Sequence, residues 1–475
     1  MATPLATNPY DQVFQAQKTT SFAFRSQPIR ERLARLRKIE KWLLAHRQDV
    51  IQAVQADFYR PATEIEISET MPVLNEVRHA LADLERWVRP KKVDAPLHYL
   101  GTRSYIRYEP KGVCLIIAPW NYPFNLCMGP LVSALAAGNT AIVKPSEFTP
   151  NTGALVKKLA AELFSPDQVT VVEGDATTSQ QLLALPFDHI FFTGSPTVGK
   201  LVMKAAAEHL ASVTLELGGK SPTIVDGSNS LADAARRIAF GKFFNNGQTC
   251  IAPDYVLVKA AVQQEFVSLL QREIQNLFGA QQPVTDQSPD YARLVHQRHF
   301  DRIGQLVEQA AAQGANVHRV GEPDRATRFY PPTLLTEVPA TARVLEEEIF
   351  GPVLPLISYQ NDSDVFDFIN TRPKPLGMYV FSNRAYFRKK LEQQTSSGAL
   401  IFNDCLLQYT HPNIPFGGVN NSGIGKAHGQ FGFQSFSNEK PVIKQMPKWA
   451  NTYFFHPPYT PLRKWLVDFV LRWML

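Results

Sequence analysis

The sequence predicts an α/β fold built on parallel βαβ units, and three observations predict it. From Val113 onward, short apolar runs alternate with amphipathic stretches at an interval that suits strand–helix–strand units. The chain has 475 residues, so more than one substructure around a large core is expected. Hydrophobic residues make up 44% and charged residues 19%, the balance of a globular chain rather than a disordered one.

The first hundred residues read as helices. Ile29–Val50 places Leu33, Leu36, Ile39, Leu43 and Leu44 at helical spacing, and Glu64–Val88 repeats the pattern. Periodicity lapses between Pro90 and Gly101, and Arg103–Glu109 then alternates like an exposed strand. A strand is expected at Val113–Ala118, and a small-residue helix at Gly129–Ala137, closed by Gly138-Asn139. The alternation continues with strands at Thr140–Val143, Val169–Val172, His189–Phe192 and Val213–Leu217. Between them fall helices at Thr152–Phe164, Ser179–Leu185 and Val198–His209. A second α/β region runs from about Lys220 to Phe402, with helices at Leu231–Phe244 and Leu294–Gln313 and strands at Tyr255–Val258 and Leu354–Ile357. Pro415–Gly432 is glycine-rich and reads as a loop. In doubly wound sheets ligands sit at the carboxyl ends of strands, so the segments that follow strands are the places to search.

Composition excludes several classes of function. The formal charge of +6 is thinly spread, with no clustered basic run, RNP motif or zinc-finger spacing, so no nucleic acid and no metal site are expected. Four scattered cysteines without a CxxC do not make a disulfide framework; they point to a reducing, cytoplasmic setting. No signal peptide and no apolar run of spanning length are found.

Five segments carry candidate chemistry. Cys250 ends Asn245-Asn246-Gly247-Gln248-Thr249-Cys250, a loop able to expose a sulfur nucleophile, whereas Cys114 lies in an apolar run and reads as core. Glu216 lies between two leucines at a strand end. It is either paired with Lys220, solvent-facing, or a carboxyl of raised pKa able to activate water. Asn121 follows the Val113–Ala118 strand; it is a turn or N-cap residue, or an amide donor to an oxyanion. Lys144 and Glu147 follow another strand, as a polar loop or as partners of ribose hydroxyls. Gly194-Ser195-Pro196-Thr197-Val198-Gly199 opens a helix after a strand, where backbone N–H groups can meet a pyrophosphate.

Taken together, the sequence resembles the aldehyde dehydrogenase superfamily, and within it the class 3 branch that includes fatty-aldehyde dehydrogenases. The matching segments are APWNYPFNL, KPSEFTP, FFTGSPTVGK, LELGGKSP, FFNNGQTCIAPDY, EEIFGPVLP and PFGGVNNSGIG, in family order from about residue 20 to 445. The resemblance implies a Rossmann-type cofactor domain (1–98 and 112–216) and an α/β catalytic domain (217–410). It also implies a small β bridging and oligomerisation arm (99–111 and 411–445) and an amphipathic tail (446–475). It implies that Cys250 attacks an aldehyde, that Asn121 and the Cys250 N–H hold the oxyanion, and that Glu216 activates the hydrolytic water. Trp120, Lys144, Glu147, Gly194, Ser195, Val198, Gly199, Glu348 and Phe350 would contact the cofactor. Tyr122, Leu126, Thr249 and Phe416 would form an apolar substrate funnel for medium- to long-chain or polyene aldehydes. The Glu147 carboxylate would repel a 2′-phosphate, which favours NAD; the class 3 branch also leaves NADP open. Asn246 stands where this branch commonly has Ser, and Asn420 where Gly is commoner.

An acylating enzyme that passes the thioester to coenzyme A is the nearest alternative, although a water-activating Glu216 would waste its acyl group. A catalytically silent binding protein is the other. The strand near Arg103–Glu109 and the family's arm imply a homodimer. Leu462, Trp465, Leu466, Phe469, Val470, Trp473 and Met474 fall on one side of a short basic helix. That helix docks on its own core, gates the substrate mouth, or touches a membrane surface peripherally.

Overall fold

The computed structural model describes residues 8–96, 99, 101–279, 283–319, 321–445 and 456–473. Its two large sheets are mainly parallel, as the alternation predicts. The first has six strands in the order Gly423–Ile424, Ser212–Leu217, His189–Gly194, Val113–Ile117, Thr140–Lys144, Val169–Val171. Strand order reverses at Val113–Ile117: the next two strands in sequence lie to one side and the two after them to the other. Ile117 stands level with both Lys144 and Phe192. The segments carrying Asn121, Glu147 and Ser195 therefore leave from one carboxyl edge at a topological switch point.

The second sheet has seven strands in the order Asn316–Arg319, Thr333–Thr336, Val353–Tyr359, Tyr255–Lys259, Pro222–Val225, Gly377–Phe381, Ala399–Phe402. Only its first strand runs antiparallel to its neighbour. A separate three-stranded sheet pairs Thr102–Pro110 with Ser437–Gln445 and with Lys91–Lys92. Central strands such as Val113–Ile117 and Gly377–Phe381 are buried throughout, because helices cover both faces.

The N-terminal helices form one of those covering layers, with Leu36, Ile39 and Leu43 fully buried in its core. Two stretches that read as single helices are interrupted. The first breaks at His46 (φ −116°, ψ 24°) into Ile29–Ala45 and Arg47–Asp57. The second contains a π-helical turn, Glu66–Thr70, between Ala62–Ile65 and Met71–Trp87. Hydrophobic periodicity cannot register such a turn, since one extra residue shifts the pattern without ending it. Pro415–Gly432 is not wholly a loop. Gly423–Ile424 pairs with Leu215–Glu216, and the helix Gly429–Ser435 begins within it and packs on Met71–Trp87 and Asn125–Ala137. Glycine content hid both elements, because the signal there is close backbone approach rather than apolar pattern.

The tail forms a helix over Pro461–Trp473 with no buried residue, and Met474 lies outside the described residues. No helix among the described residues is long and apolar enough to cross a membrane.

Candidate active site

The Cys250 loop owes its shape to three successive left-handed residues. Asn245 (φ 51°), Asn246 (φ 54°) and Gly247 (φ 73°) turn the chain sharply after the helix Leu231–Phe243. Asn and Gly are the residues that tolerate this region. At Gly247 a Cβ would meet the Gly351 carbonyl oxygen at 2.3 Å, so no larger residue fits. Buried hydrogen bonds then fix the turn. Asn246 Nδ2 donates to Ala292 O at 3.0 Å, and Gln248 Nε2 donates to Arg293 O at 3.0 Å. Gln248 Oε1 accepts from Val295 N at 2.9 Å.

Cys250 is a free, partly buried thiol on the wall of a cavity of about 290 Å³. Burial pushes its pKa up, and the carboxyls of Glu348 and Glu216 push it further in the same direction. Cys114, Cys127 and Cys405 are buried in core clusters, as the apolar run around Cys114 predicts.

Glu216 opens onto the same cavity. It sits between Thr193 and Gly423 across the sheet, and neither carboxyl oxygen has a hydrogen-bond partner. Burial holds its pKa well above the ordinary carboxyl value, opposed only in part by Lys426. The pairing with Lys220 is absent: the Lys220 ammonium instead bonds Asp254 and the carbonyls of Val344 and Glu347.

Asn121 is buried and is not among the residues that line the cavity. Its Nδ2 donates to Gln248 O at 3.1 Å, two residues before Cys250. A second N–H on that nitrogen remains for another acceptor. Next to it, Tyr122 Oη lies 2.5 Å from Thr249 Oγ1. Tyr122, Leu126, Thr249 and Phe416 all line the cavity, and Phe416 packs against Cys250. Sequence reading missed several other lining residues, among them Ile67, Met71, Phe240, Leu407, Tyr409 and His428. Most are brought in from helices remote in sequence, where no local motif marks them.

The residues expected to contact the cofactor lie outside the lining of this cavity. Lys144 Nζ bonds Glu147 Oε2 at 2.9 Å, with the lysine buried and the glutamate partly exposed. Ser195 caps the helix Pro196–Ala207, accepting from Val198 N at 3.3 Å. That contact and the missing N–H of Pro196 leave fewer free donors at this junction than the sequence suggested. Gly199 allows the helix to approach the sheet, since a Cβ there would meet Leu217 at 2.7 Å. Val198 and Leu201 are exposed apolar side chains on this helix. The Glu348 carboxyl lies over Gly218, where a Cβ would meet Oε2 at 2.1 Å. Burial and nearby Asp254 raise its pKa to about 8. Phe350 (φ 50°) stands edge-on to Trp120 at 5.3 Å, and His299 Nε2 donates to its carbonyl at 2.7 Å. Burial lowers the His299 pKa to about 3, so the ring is neutral.

This donor set fits a nicotinamide dinucleotide. An acid–base pair at a strand end suits ribose hydroxyls, and exposed Val198 and Leu201 offer an apolar wall to a base. The buried Thr193 hydroxyl lacks a partner beside Glu216. Among the described residues no cluster of His, Cys, Asp and Glu is arranged to hold a metal ion.

The aldehyde dehydrogenase family profile matches residues 6–442. The chain is 40% identical to 4,4′-diaponeurosporen-aldehyde dehydrogenase of Staphylococcus aureus, over 96% of each chain. It is 41% identical to aldehyde dehydrogenase family 3 member A2 of Macaca fascicularis, over 94% of this chain and 91% of that one. A solved structure described as the substrate-bound state of Staphylococcus aureus AldH superposes with a TM-score of 0.92 at 39% identity. The match covers 97% of this chain and 99% of the other. The chain belongs to the aldehyde dehydrogenase family.

Proposed function

We propose that this enzyme oxidises apolar aldehydes to carboxylic acids through a thioester on Cys250, with Glu216 as the base that releases the acid. One observation carries this reading: a thiol and an unpartnered carboxyl share one apolar cavity. The thiol adds across the aldehyde carbonyl, forming a carbon–sulfur bond and leaving its proton on oxygen. Asn121 Nδ2 and the Cys250 backbone N–H steady that oxygen as charge develops. Bound NAD or NADP would supply the hydride acceptor; as the hydride leaves carbon, the hydroxyl proton is released to solvent and the carbonyl re-forms as the thioester. Water then attacks the thioester carbon, and Glu216 takes a proton from it as the sulfur leaves. Lys144, Glu147 and Glu348 would hold the cofactor's riboses, and Trp120 and Phe350 would pack beside it. The segment from Gly194 through Ser195 and Val198 to Gly199 would lie along its adenosine and diphosphate half. The exposed Glu147 carboxylate favours NAD over its 2′-phosphorylated form.

The substrate class follows from the lining. Tyr122, Leu126, Phe240, Leu407 and Phe416 give little to hydrogen-bond and much to an alkyl or polyene chain. The relatives named 4,4′-diaponeurosporen-aldehyde dehydrogenase and aldehyde dehydrogenase family 3 member A2 support the same class. The test is kcat/KM over n-alkanals of increasing length, with and without coenzyme A. A rise with chain length and a free acid product are expected. Capture of the acyl group by coenzyme A overturns the hydrolytic step.

The three-stranded sheet carrying Thr102–Pro110 supports a homodimer through that arm. The exposed Leu462, Trp465, Phe469 and Trp473 support peripheral contact of the tail with a membrane surface. Flotation with anionic vesicles should carry the full chain upward but not a 1–460 truncation. Equal behaviour of the two rules the contact out.

A further inference from the structure

The apolar cavity has a polar patch that the chemistry above does not use. His428 lines it, with Nδ1 2.6 Å from Glu76 Oε1, while Glu76 Oε2 accepts from Gly429 N at 2.9 Å. Burial alone would raise the Glu76 pKa, but His428 and the Gly429 N–H hold its carboxyl below the ordinary value. A carboxylate can only accept, so His428 Nδ1 is the donor, and Nε2 is the ring nitrogen left free to accept. Nε2 has no hydrogen-bond partner among the described residues. The ring stands edge-on to Tyr409 at 4.7 Å and to Phe416 at 5.1 Å. Phe416 belongs to the apolar cluster against which both Tyr409 and Cys250 pack, so His428 borders the group that includes the nucleophile.

The backbone adds a second observation. His428 has φ 70° and ψ 139°, a conformation that favours glycine and that a histidine occupies only under constraint. Backbone geometry therefore does not account for an imidazole here. Nε2 is not sealed in the core, so a plain alkyl chain that displaced water from the cavity would cover this acceptor without supplying a donor.

We propose that His428 is a specificity-determining residue of the substrate cavity, accepting at Nε2 a hydrogen bond from a hydroxyl that the aldehyde carries away from its carbonyl. The ligand class is an apolar aldehyde with one alcohol or phenol group. This inference rests on the cavity being the aldehyde site.

The test compares kcat/KM for n-alkanals, ω-hydroxyalkanals and ω-methoxyalkanals of matched length. The methyl ether accepts but does not donate, so it isolates the proposed bond. At one chain length the hydroxyl compound should exceed the ether by about tenfold, the upper end for one neutral hydrogen bond. In His428→Phe that ratio should fall to about one. Should this variant misfold around an unpaired Glu76, the double variant Glu76→Gln/His428→Phe leaves no buried charge and keeps an acceptor for Gly429 N–H. A merely structural His428 would lower all three series alike and leave the ratio unchanged, which overturns the proposal. So does a wild-type enzyme with no hydroxyl preference at any length. Failure to oxidise any of the three series would instead overturn the aldehyde reading beneath it.

Discussion

Glu216→Gln isolates the base with little change of shape. In the native site Glu216 is 6% exposed, neither carboxyl oxygen is hydrogen-bonded, and Lys426 draws its pKa down. Lys426 spends its own hydrogen bonds on the Gly417 and Gly418 carbonyls, so it offers charge without contact. An amide cannot take the water proton, and loss of a positioned general base costs about 10²–10⁴ in rate. Hydrolysis then becomes limiting, and the first turnover should survive as a burst of NADH near one equivalent per Cys250, with the acyl-enzyme visible by mass spectrometry. The pH profile gives an independent check. The base works only when ionised and its pKa is raised, so wild-type turnover should climb with pH along a limb that Glu216→Gln lacks. Lys426→Met should move that limb to higher pH. Stability should shift the opposite way. A raised folded pKa means that stability is lost as pH climbs from the unfolded value toward the folded one, at about 1.4 kcal/mol per unit. Glu216→Gln removes that loss, so it should melt above the wild type at pH 8 and no higher at pH 4. Turnover within threefold of wild type, with no burst and an unchanged pH limb, would refute the assignment.

Three other substitutions probe the remaining parts. Asn121→Ala should lower kcat by about 10²–10³ with KM little changed, the cost of one oxyanion donor; an effect confined to KM would show that Asn121 only shapes the loop. Glu348→Gln removes one of the two carboxyls that raise the Cys250 pKa, so iodoacetamide should alkylate the cofactor-free thiol faster at pH 7.5, about tenfold for each unit the pKa falls. An unchanged or slower rate would contradict the electrostatic account. Glu147→Gln leaves Lys144 without its carboxylate partner, and the NADP-to-NAD ratio of kcat/KM should rise about tenfold, equivalent to 1.4 kcal/mol; a constant ratio would place the 2′-position elsewhere.

Much of this centre was legible because its parts are local. A strand, a turn and a chemically distinct side chain sit within a few residues of one another at Asn121, Glu147, Ser195 and Glu216. The three left-handed residues before Cys250 announce themselves as Asn-Asn-Gly. Asn420, standing where Gly is commoner, has φ 56°, within the range that Asn tolerates. Less legible were features that depend on distant partners. Lys220 looked like a partner for Glu216 four residues away, but the strand's direction sends it to Asp254. His428 lay inside a segment read as loop, and its meaning depends on Glu76, which is 352 positions away.

The same limit hides what holds the Cys250 loop in place. Arg60 is fully buried and reaches Glu69 Oε1 at 2.7 Å and the Asn121 carbonyl at 3.4 Å. Glu64 Oε1 accepts from Asn245 N at 3.0 Å, and Asn245 Nδ2 donates to that same Asn121 carbonyl at 2.9 Å. Glu69 Oε2 takes the Asn125 N–H at 2.8 Å. The helical layer thus grips both the Asn121 segment and the Cys250 turn, the two halves that must keep one spacing for an oxyanion to be held between them. The π-helical turn lies in this layer, and Ser68 and Glu69, both in that turn, bond Arg60. Removing one member of such a buried ionic set costs about 3–5 kcal/mol, because the others are left charged without partners. An apolar layer would bury as well, but it would not fix the Asn121 carbonyl from two directions. The ionic set is therefore best understood as a device for geometry, exchanging stability for a fixed distance between the amide and the sulfur.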